Sequence, residues 1–234
     1  MVDDGSELDI CQAVKDYPMI NVIRQEQAGP NSARNNGFAQ SIGEFLLFCD
    51  DDVELEPRFL EKMVQALISN PDKAYAYCGF KIDNEIVGME RFNPEKLRKK
   101  NYISGVSLIR RSKFPRFDVR IRRLQDWDLW LTMLKNGDQG IWVPEILFNT
   151  SSKNKPSISD DSNIDGWIYA YEVVIKKHGL SDPWHSLMRF YARIIYRMAP
   201  DGTRRGDLRK VIVASLRLAR KEGIRSLFRL VWRR

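Results

Sequence analysis

Residues 45–52 read Phe45-Leu46-Leu47-Phe48-Cys49-Asp50-Asp51-Asp52, five apolar residues without alternation running straight into three carboxylates. An apolar run with no polar face predicts a strand covered on both sides, the habit of parallel sheets. In open sheets of that kind, ligands gather at the carboxyl ends of the strands. Here that end is acidic, and three adjacent carboxylates repel one another unless something offsets them. A divalent cation does so, and an all-oxygen donor set favours Mg²⁺ or Mn²⁺. Such an ion keeps positions open for phosphate oxygens, which points to a phosphorylated substrate. The competing reading is a solvated acidic turn ahead of the helix that follows Pro57, whose N-terminus also favours negative charge.

The flanking residues supply the rest of the layering. Met19 to Ile23 reads as a short strand. Asn31-Ser32 offers a helix cap, followed by Phe38, Ala39 and Ile42 at helical spacing before Gly43. Beyond the acidic triplet, Phe59, Leu60, Met63, Val64, Leu67 and Ile68 form an amphipathic helix, and Ala74 to Phe80 a further strand. This β-α-β-α-β order predicts an α/β, mostly parallel sheet with helices on both faces. Residues 125–136 read as a helix that stops at Gly137, with short strands at Ile141–Val143 and Ile146–Phe148. The mixed, basic stretch 81–124 resists a clear pattern. Residues 149–163 form a polar, turn-rich loop, and residues 164–234 read as all-helical.

Composition narrows the function classes. The 234 residues carry a net charge of +7, with 43% hydrophobic residues, and no apolar run approaches the length of a membrane span. No signal peptide precedes Val2-Asp3-Asp4-Gly5-Ser6. Cys11, Cys49 and Cys78 are odd in number and lack a CxxC spacing, so a disulfide framework or zinc site is not expected, and a cytoplasmic setting fits. From Arg197 onward twelve Lys and Arg face three acidic residues, a net +9, which leaves −2 on residues 1–196. The basic character belongs to the tail, which argues against nucleic acid as a partner of the body. Leu208, Val211, Ile212, Leu216, Ile224, Leu227, Phe228 and Val231 alternate with arginines there. Residues 204–234 accordingly read as a basic amphipathic segment for an anionic membrane surface, or as a helix packed on the body.

Smaller signals remain. Asp3-Asp4-Gly5-Ser6 is a second acidic turn. Asp126 and Asp128 sit in the first turn of their helix, where the dipole favours the ionised carboxylate. Two residues apart, they face different directions, so one at most serves a given site as a general base. The competing reading makes both dipole-stabilising residues. Trp127 and Trp130 read as core more readily than as a sugar-stacking face. His178 and His185 read as structural or surface residues.

Taken together these motifs resemble the inverting GT-A glycosyltransferases of family 2. Val2-Asp3-Asp4-Gly5-Ser6 is similar to the family's VDDGS turn, and Gly29-Pro30-Asn31-Ser32-Ala33-Arg34-Asn35-Asn36-Gly37 to its G…ARN.G segment. Gly43-Glu44-Phe45 through Asp52 resembles the strand that ends in the DxD motif, and Asp126-Trp127-Asp128-Leu129-Trp130 the EDWDLW stretch. The resemblance covers about residues 2–148. It implies a GT-A (Rossmann-like) domain over residues 1–160, lacking the strand and helix that the family carries before VDDGS, then a helical basic region over 161–234. It implies transfer of a sugar from a nucleoside-diphosphate sugar to an acceptor hydroxyl with inversion, in cell-surface polysaccharide or glycolipid synthesis at the inner face of the plasma membrane. The alternative is a non-catalytic or truncated remnant with impaired donor binding. Asp126 would be the general base. Asp4 would meet the nucleotide base, Arg34 would shape the nucleotide site, and Asp51 would lie near the ribose or diphosphate. Asp52, with Asp50, would hold Mg²⁺ or Mn²⁺. Gln125 stands where the family carries Glu. After the last core strand, an Arg/His pair of the family is replaced by a loop with Lys153 and Lys155.

Overall fold

The computed structural model describes residues 1–83, 85–151 and 164–180, with the backbone alone for 164–168. The chain runs through β1 (Val2–Asp3), α1 (Ile10–Ala13), β2 (Ile23–Arg24), α2 (Pro30–Gln40), β3 (Phe45–Leu47), β4 (Val53–Leu55) and α3 (Phe59–Ser69). It continues through β5 (Tyr75–Ile82), β6 (Glu85–Val87), α4 (Pro94–Lys99), β7 (Leu108–Arg110), α5 (Gln125–Lys135), β8 (Gly140–Thr150) and α6 (Ile164–His178).

A six-stranded sheet in the order β3-β7-β5-β8-β4, with β6 also on β5, forms the middle layer. Its central strand β5 shows the period-two logic of a strand covered on both faces. Tyr75 and Tyr77 enter one apolar cluster, and Ala76, Cys78 and Phe80 the other. On the second face, α3 buries Phe59, Met63 and Leu67, one stripe at four-residue spacing. On the first, Trp127, Trp130 and Met133 of α5 join Val174 and Ile175 of α6. Trp130 stacks on Tyr75 with ring centroids 4.5 Å apart, and the Trp127 and Trp130 indoles donate to Leu97 O and Ile103 O at 2.7 and 3.1 Å. Both tryptophans are core, as expected, and they tie α5 to the segment around α4. Helices lie on both faces, so the expected α/β layering stands.

The strand directions differ from the mostly parallel expectation. β1–β2 and β5–β8 are parallel, while β3–β7, β5–β7, β4–β8 and β5–β6 are antiparallel. For β5–β6 the physical reason is the length of the connection, while the other antiparallel pairs join strands far apart in sequence, whose direction follows from the neighbour each finds. A parallel neighbour needs a crossover of a dozen residues or more, whereas β5 returns as β6 through a tight turn, with Asp83 at φ 53°. The two short strands expected at 141–148 are one, β8. Its pairing with β5 shifts so that Cys78 faces Val143 and Gly79 faces Ile146. Pro144 has no N–H to donate to the ladder, and the strand bulges there.

β1 and β2 form a two-stranded sheet of their own. Among residues 1–44 only Asp3 and Asn31 are buried, and no apolar side chain is. This layer is held to the body by half-buried Phe38, whose ring meets Phe114 edge-on at 5.0 Å, and by polar bonds. Asn31 Nδ2 donates to Asp118 O and Ile121 O at 2.9 and 2.7 Å, and Asn35 exchanges two bonds with the Phe117 backbone. Arg111 of the body donates to Ser41 Oγ at 2.6 Å and lies over the Phe38 ring.

Candidate active site

The acidic triplet leaves the end of β3 and enters β4, whose ladder with β8 sets Val53 opposite Thr150. That register brings Thr150 Oγ1 to 3.4 Å from Asp52 Oδ2. Asp50, Asp51 and Asp52 are exposed. Burial, together with the charges of Asp50 and Asp52, pushes the adjoining Cys49 thiol above its ordinary value, so the strand end carries a negative potential. Arg34, one helical turn into α2, reaches across and donates from Nη2 to Asp50 Oδ1 at 2.8 Å. Its guanidinium also lies over the Phe117 ring at 5.5 Å. Among the described residues no three His, Cys, Asp or Glu side chains converge on a point where a metal could sit.

Asp126 opens α5, preceded by Leu124 in the left-handed region at φ 58°. Its carboxylate takes Asn101 Nδ2 on Oδ2 at 2.8 Å and the Trp127 N–H on Oδ1 at 2.9 Å. Asn101 Oδ1 in turn accepts from Ile103 N at 3.2 Å, so the amide is oriented with its NH₂ toward the acid. Burial raises the Asp126 carboxyl above the ordinary carboxylate value, while these bonds and the charge of Arg34 oppose the rise. Arg34 thus acts on Asp50 by contact and on Asp126 through its field. The structure brings Arg34, Asp50 and Asp126 into one neighbourhood, with Asp51 and Asp52 beside them in sequence.

Asp4 is placed otherwise. It follows β1 and gives both oxygens to the loop ahead of α2, accepting from Gln25 Nε2 at 2.7 Å, Ala28 N at 2.8 Å and Gly29 N at 2.8 Å. Burial would raise its carboxyl, but these bonds outweigh that and hold it below the ordinary value. Gly29 sits at φ 93°, a conformation that a side chain disfavours, and it turns the chain so that its N–H meets Asp4. Asp3 beside it is buried and accepts from Ser6 N at 2.8 Å.

Two features lie beyond the sequence reading. Asn101 falls in the stretch without pattern, and nothing local marks it as the partner of Asp126. The other is a buried ionic cluster between α5 and α6. Asp128 faces away from Asp126, as the spacing predicts, and accepts from His178 Nε2 and Lys177 Nζ, each at 2.8 Å. Lys177 also reaches Asp118 at 3.1 Å, and Arg120 grips Asp118 through Nε and Nη2. The Arg120 bond above all holds the Asp118 carboxyl well below the usual range, with Lys177 assisting against the effect of burial. His178 is therefore structural, as read from the sequence. His185, Lys153, Lys155 and the basic segment 204–234 lie outside the described residues.

Comparison with known proteins shows the family and the fold. The model of glycosyl transferase family 2 matches residues 1–123. An uncharacterized glycosyltransferase of Haemophilus influenzae is 27% identical over 150 residues, 58% of this chain and 51% of that protein. A second, from Methanocaldococcus jannaschii, is 22% identical over 202 residues, 78% of this chain and 69% of that protein. The chain thus spans 51% to 69% of the length of these relatives. Among solved structures, S. aureus TarS 1-349 in complex with UDP-GlcNAc aligns at a TM-score of 0.60 and 18% identity, over 75% of this chain and 56% of that one. Its complex with UDP aligns at 0.58 and 17%, over 75% and 54%. The shared architecture is the GT-A fold expected from the motifs.

Proposed function

The chain belongs to glycosyl transferase family 2, and from that premise we propose that it moves a sugar from a nucleoside-diphosphate donor to an acceptor hydroxyl, with inversion. The observation that carries the reading is Asp126, a carboxyl raised by burial, oriented by Asn101, and set in the neighbourhood of Arg34 and the acidic triplet. A base whose affinity for protons rises toward working pH is matched to removing a hydroxyl proton. Asp126 takes that proton as the acceptor oxygen bonds to the anomeric carbon. The bond from that carbon to the diphosphate breaks on the opposite side, and the configuration inverts. The UDP complexes of the TarS structures support a uridine nucleotide as the donor. The product belongs to cell-surface polysaccharide or glycolipid synthesis, with the acceptor met at a membrane surface.

The donor side fits a hard divalent cation in part. Asp50 already gives one oxygen to Arg34, which leaves Asp52 as the carboxylate better placed to ligate. One or two carboxylates plus substrate phosphates are the usual company of Mg²⁺, so the lack of a three-residue cluster among the described residues does not conflict with it. When bound, the ion would offset charge on the leaving diphosphate. Asp51 would face the ribose or diphosphate, and Asp4 would hold the loop that shapes the base pocket.

Calorimetry with UDP and Mn²⁺ tests the donor site. The native chain is expected to bind, and Asp52→Ala to weaken binding by roughly tenfold or more, on the scale of one lost charge-assisted contact of ~1.5–3 kcal/mol. Equal binding by the variant removes Asp52 from the site. A second reading, a family member that binds donor poorly, draws on the separate β1–β2 sheet and the absence of buried apolar residues in 1–44. It is upheld if the native chain takes up no nucleotide.

Asn101 offers a finer test. Its bond favours the ionised Asp126, so Asn101→Ala raises the carboxyl further. The acid limb of the rate profile then moves to higher pH, while the alkaline limb stays. An unmoved acid limb separates Asn101 from the base.

A further inference from the structure

Charge along this chain is segregated more sharply than its total suggests. Residues 1–89 hold sixteen acidic against seven basic residues, a net −9. Residues 90–123 hold twelve Lys and Arg against Glu90, Glu95 and Asp118, a net +9. Two parts of that basic segment, around Asn101 and around Arg122, lie close to Asp126 along the chain or through a contact. Lys99 and Lys100 directly precede Asn101, whose amide bonds Asp126, and two residues of chain span at most ~7 Å. Arg122 and Arg123 lie four and three residues ahead of Asp126 in the loop that leads into α5. That loop is pinned by Asn31 at Asp118 O and Ile121 O, and by Asn35 at Phe117, so its arginines leave a fixed base.

Several cations of the segment are accounted for. Lys96 and Lys100 pair with Glu90, Arg98 with Glu95, Lys113 with Asp138 and Arg120 with Asp118. Arg110 and Arg111 donate into the body. Arg91, Lys99 and Arg122 are exposed, and among the described residues no carboxylate pairs with them. Exposed unpaired cations two residues before the amide that bonds Asp126 and four residues before Asp126 itself put positive charge close to a half-buried base, where the acceptor hydroxyl of the proposed reaction enters. Such charge raises the local concentration of anions.

We propose that the acceptor is anionic, a glycan carrying phosphate or carboxylate groups, which Lys99 and Arg122 engage near Asp126. This rests on the reading of Asp126 as the base that meets the acceptor. The negative groups lie near the reacting hydroxyl, so the cations orient the acceptor and leave the bond-making step to Asp126. Binding of such a polymer falls as salt screens the contacts.

The test uses the full chain and three fluorescent oligomers of matched length: a glycerol phosphate oligomer, a galacturonate oligomer and a neutral glucan. Anisotropy is expected to show binding of at least one anionic oligomer, weakening with salt, and none of the neutral one. Whichever anionic oligomer binds more tightly identifies phosphate or carboxylate. The double reversal Lys99→Glu with Arg122→Glu is expected to weaken that binding by about tenfold or more, with UDP binding and the thermal midpoint unchanged. Anionic binding that the double reversal leaves intact, or neutral glucan held as tightly as either anion, overturns the proposal. So does a thymidine oligonucleotide that competes better than both glycans, which marks a nucleic-acid surface. UDP calorimetry on the same sample keeps the two ideas apart. A chain that binds UDP without discriminating among the oligomers loses only the acceptor proposal, and one that binds no UDP loses the transferase reading.

Discussion

Replacing Asp126 by Asn is expected to lower transfer turnover by roughly a thousandfold, inside the ~10²–10⁴-fold span that a positioned base contributes. Asparagine keeps the shape, and its side-chain carbonyl can still accept from Asn101 or from the Trp127 N–H. The fold and the turn at Leu124 therefore survive, and only the capacity to take a proton is lost. Asp128 cannot stand in, because both its oxygens are held by Lys177 and His178 on the opposite side of the helix. Donor binding should stay within a factor of about two, since no contact of the acidic triplet with Arg34 involves Asp126 directly. The measurement is release of nucleoside diphosphate in the presence of acceptor, set beside UDP calorimetry on the same variant. A fall of less than tenfold with donor binding intact would move the base to another residue. Loss of both rate and binding would mean that the substitution disturbed Arg34 and the donor side.

How much of this is legible in the sequence depends on the distance over which each signal acts. Helix α3 is readable because Phe59, Met63 and Leu67 repeat along one stripe, and its boundaries agree within a residue or two. The strand at Phe45 is readable because an apolar run with no polar face, stopped by carboxylates, needs cover on both sides and an end in solvent. Strand direction is not, because direction depends on which neighbour a strand finds. The antiparallel pairing of Phe45 with Arg110 links segments sixty-five residues apart. Trp127 and Trp130 read as core, and their buried indoles follow from the apolar stripe of α5. The candidate site shows the same division. Asp126, Arg34 and the triplet stand in local motifs. Asn101, which orients Asp126 across twenty-five residues, stands in a mixed and basic stretch where nothing periodic marks it. The divergent directions of Asp126 and Asp128 are a matter of helical geometry alone, but the partners of Asp128 lie some fifty residues downstream. Nor can composition show that the basic stretch 90–123 folds back on the base, since that needs the contact between α4 and α5.

Asp128→Ala is expected to destabilise the body by about 3 kcal/mol. The Asp128 side chain is 4% exposed and is the common acceptor for His178, 5% exposed, and Lys177, 30% exposed. Removing one partner of a buried ionic group typically costs ~3–5 kcal/mol, because the groups left behind stay desolvated without a counter-charge. The lower end applies here, since Lys177 keeps Asp118 and reaches solvent. His178 loses its carboxylate at the last turn of α6, and the cost falls chiefly there. Asp128→Asn, which retains a neutral acceptor for one of the two donors, should cost roughly half as much. Urea denaturation checks both. A loss of about 3 kcal/mol moves the midpoint down by roughly 1.5 M at a slope near 2 kcal/mol/M, with the slope itself unchanged. The pairing with Lys177→Met tells direct contact from general packing: if the two groups are coupled as the 2.8 Å separation implies, the double variant loses less than the two single losses combined. Strict additivity, or an Asp128→Ala loss below about 1 kcal/mol, would mean that the apolar contacts of Val174 and Ile175 hold α6 against α5 and that the ionic cluster contributes little.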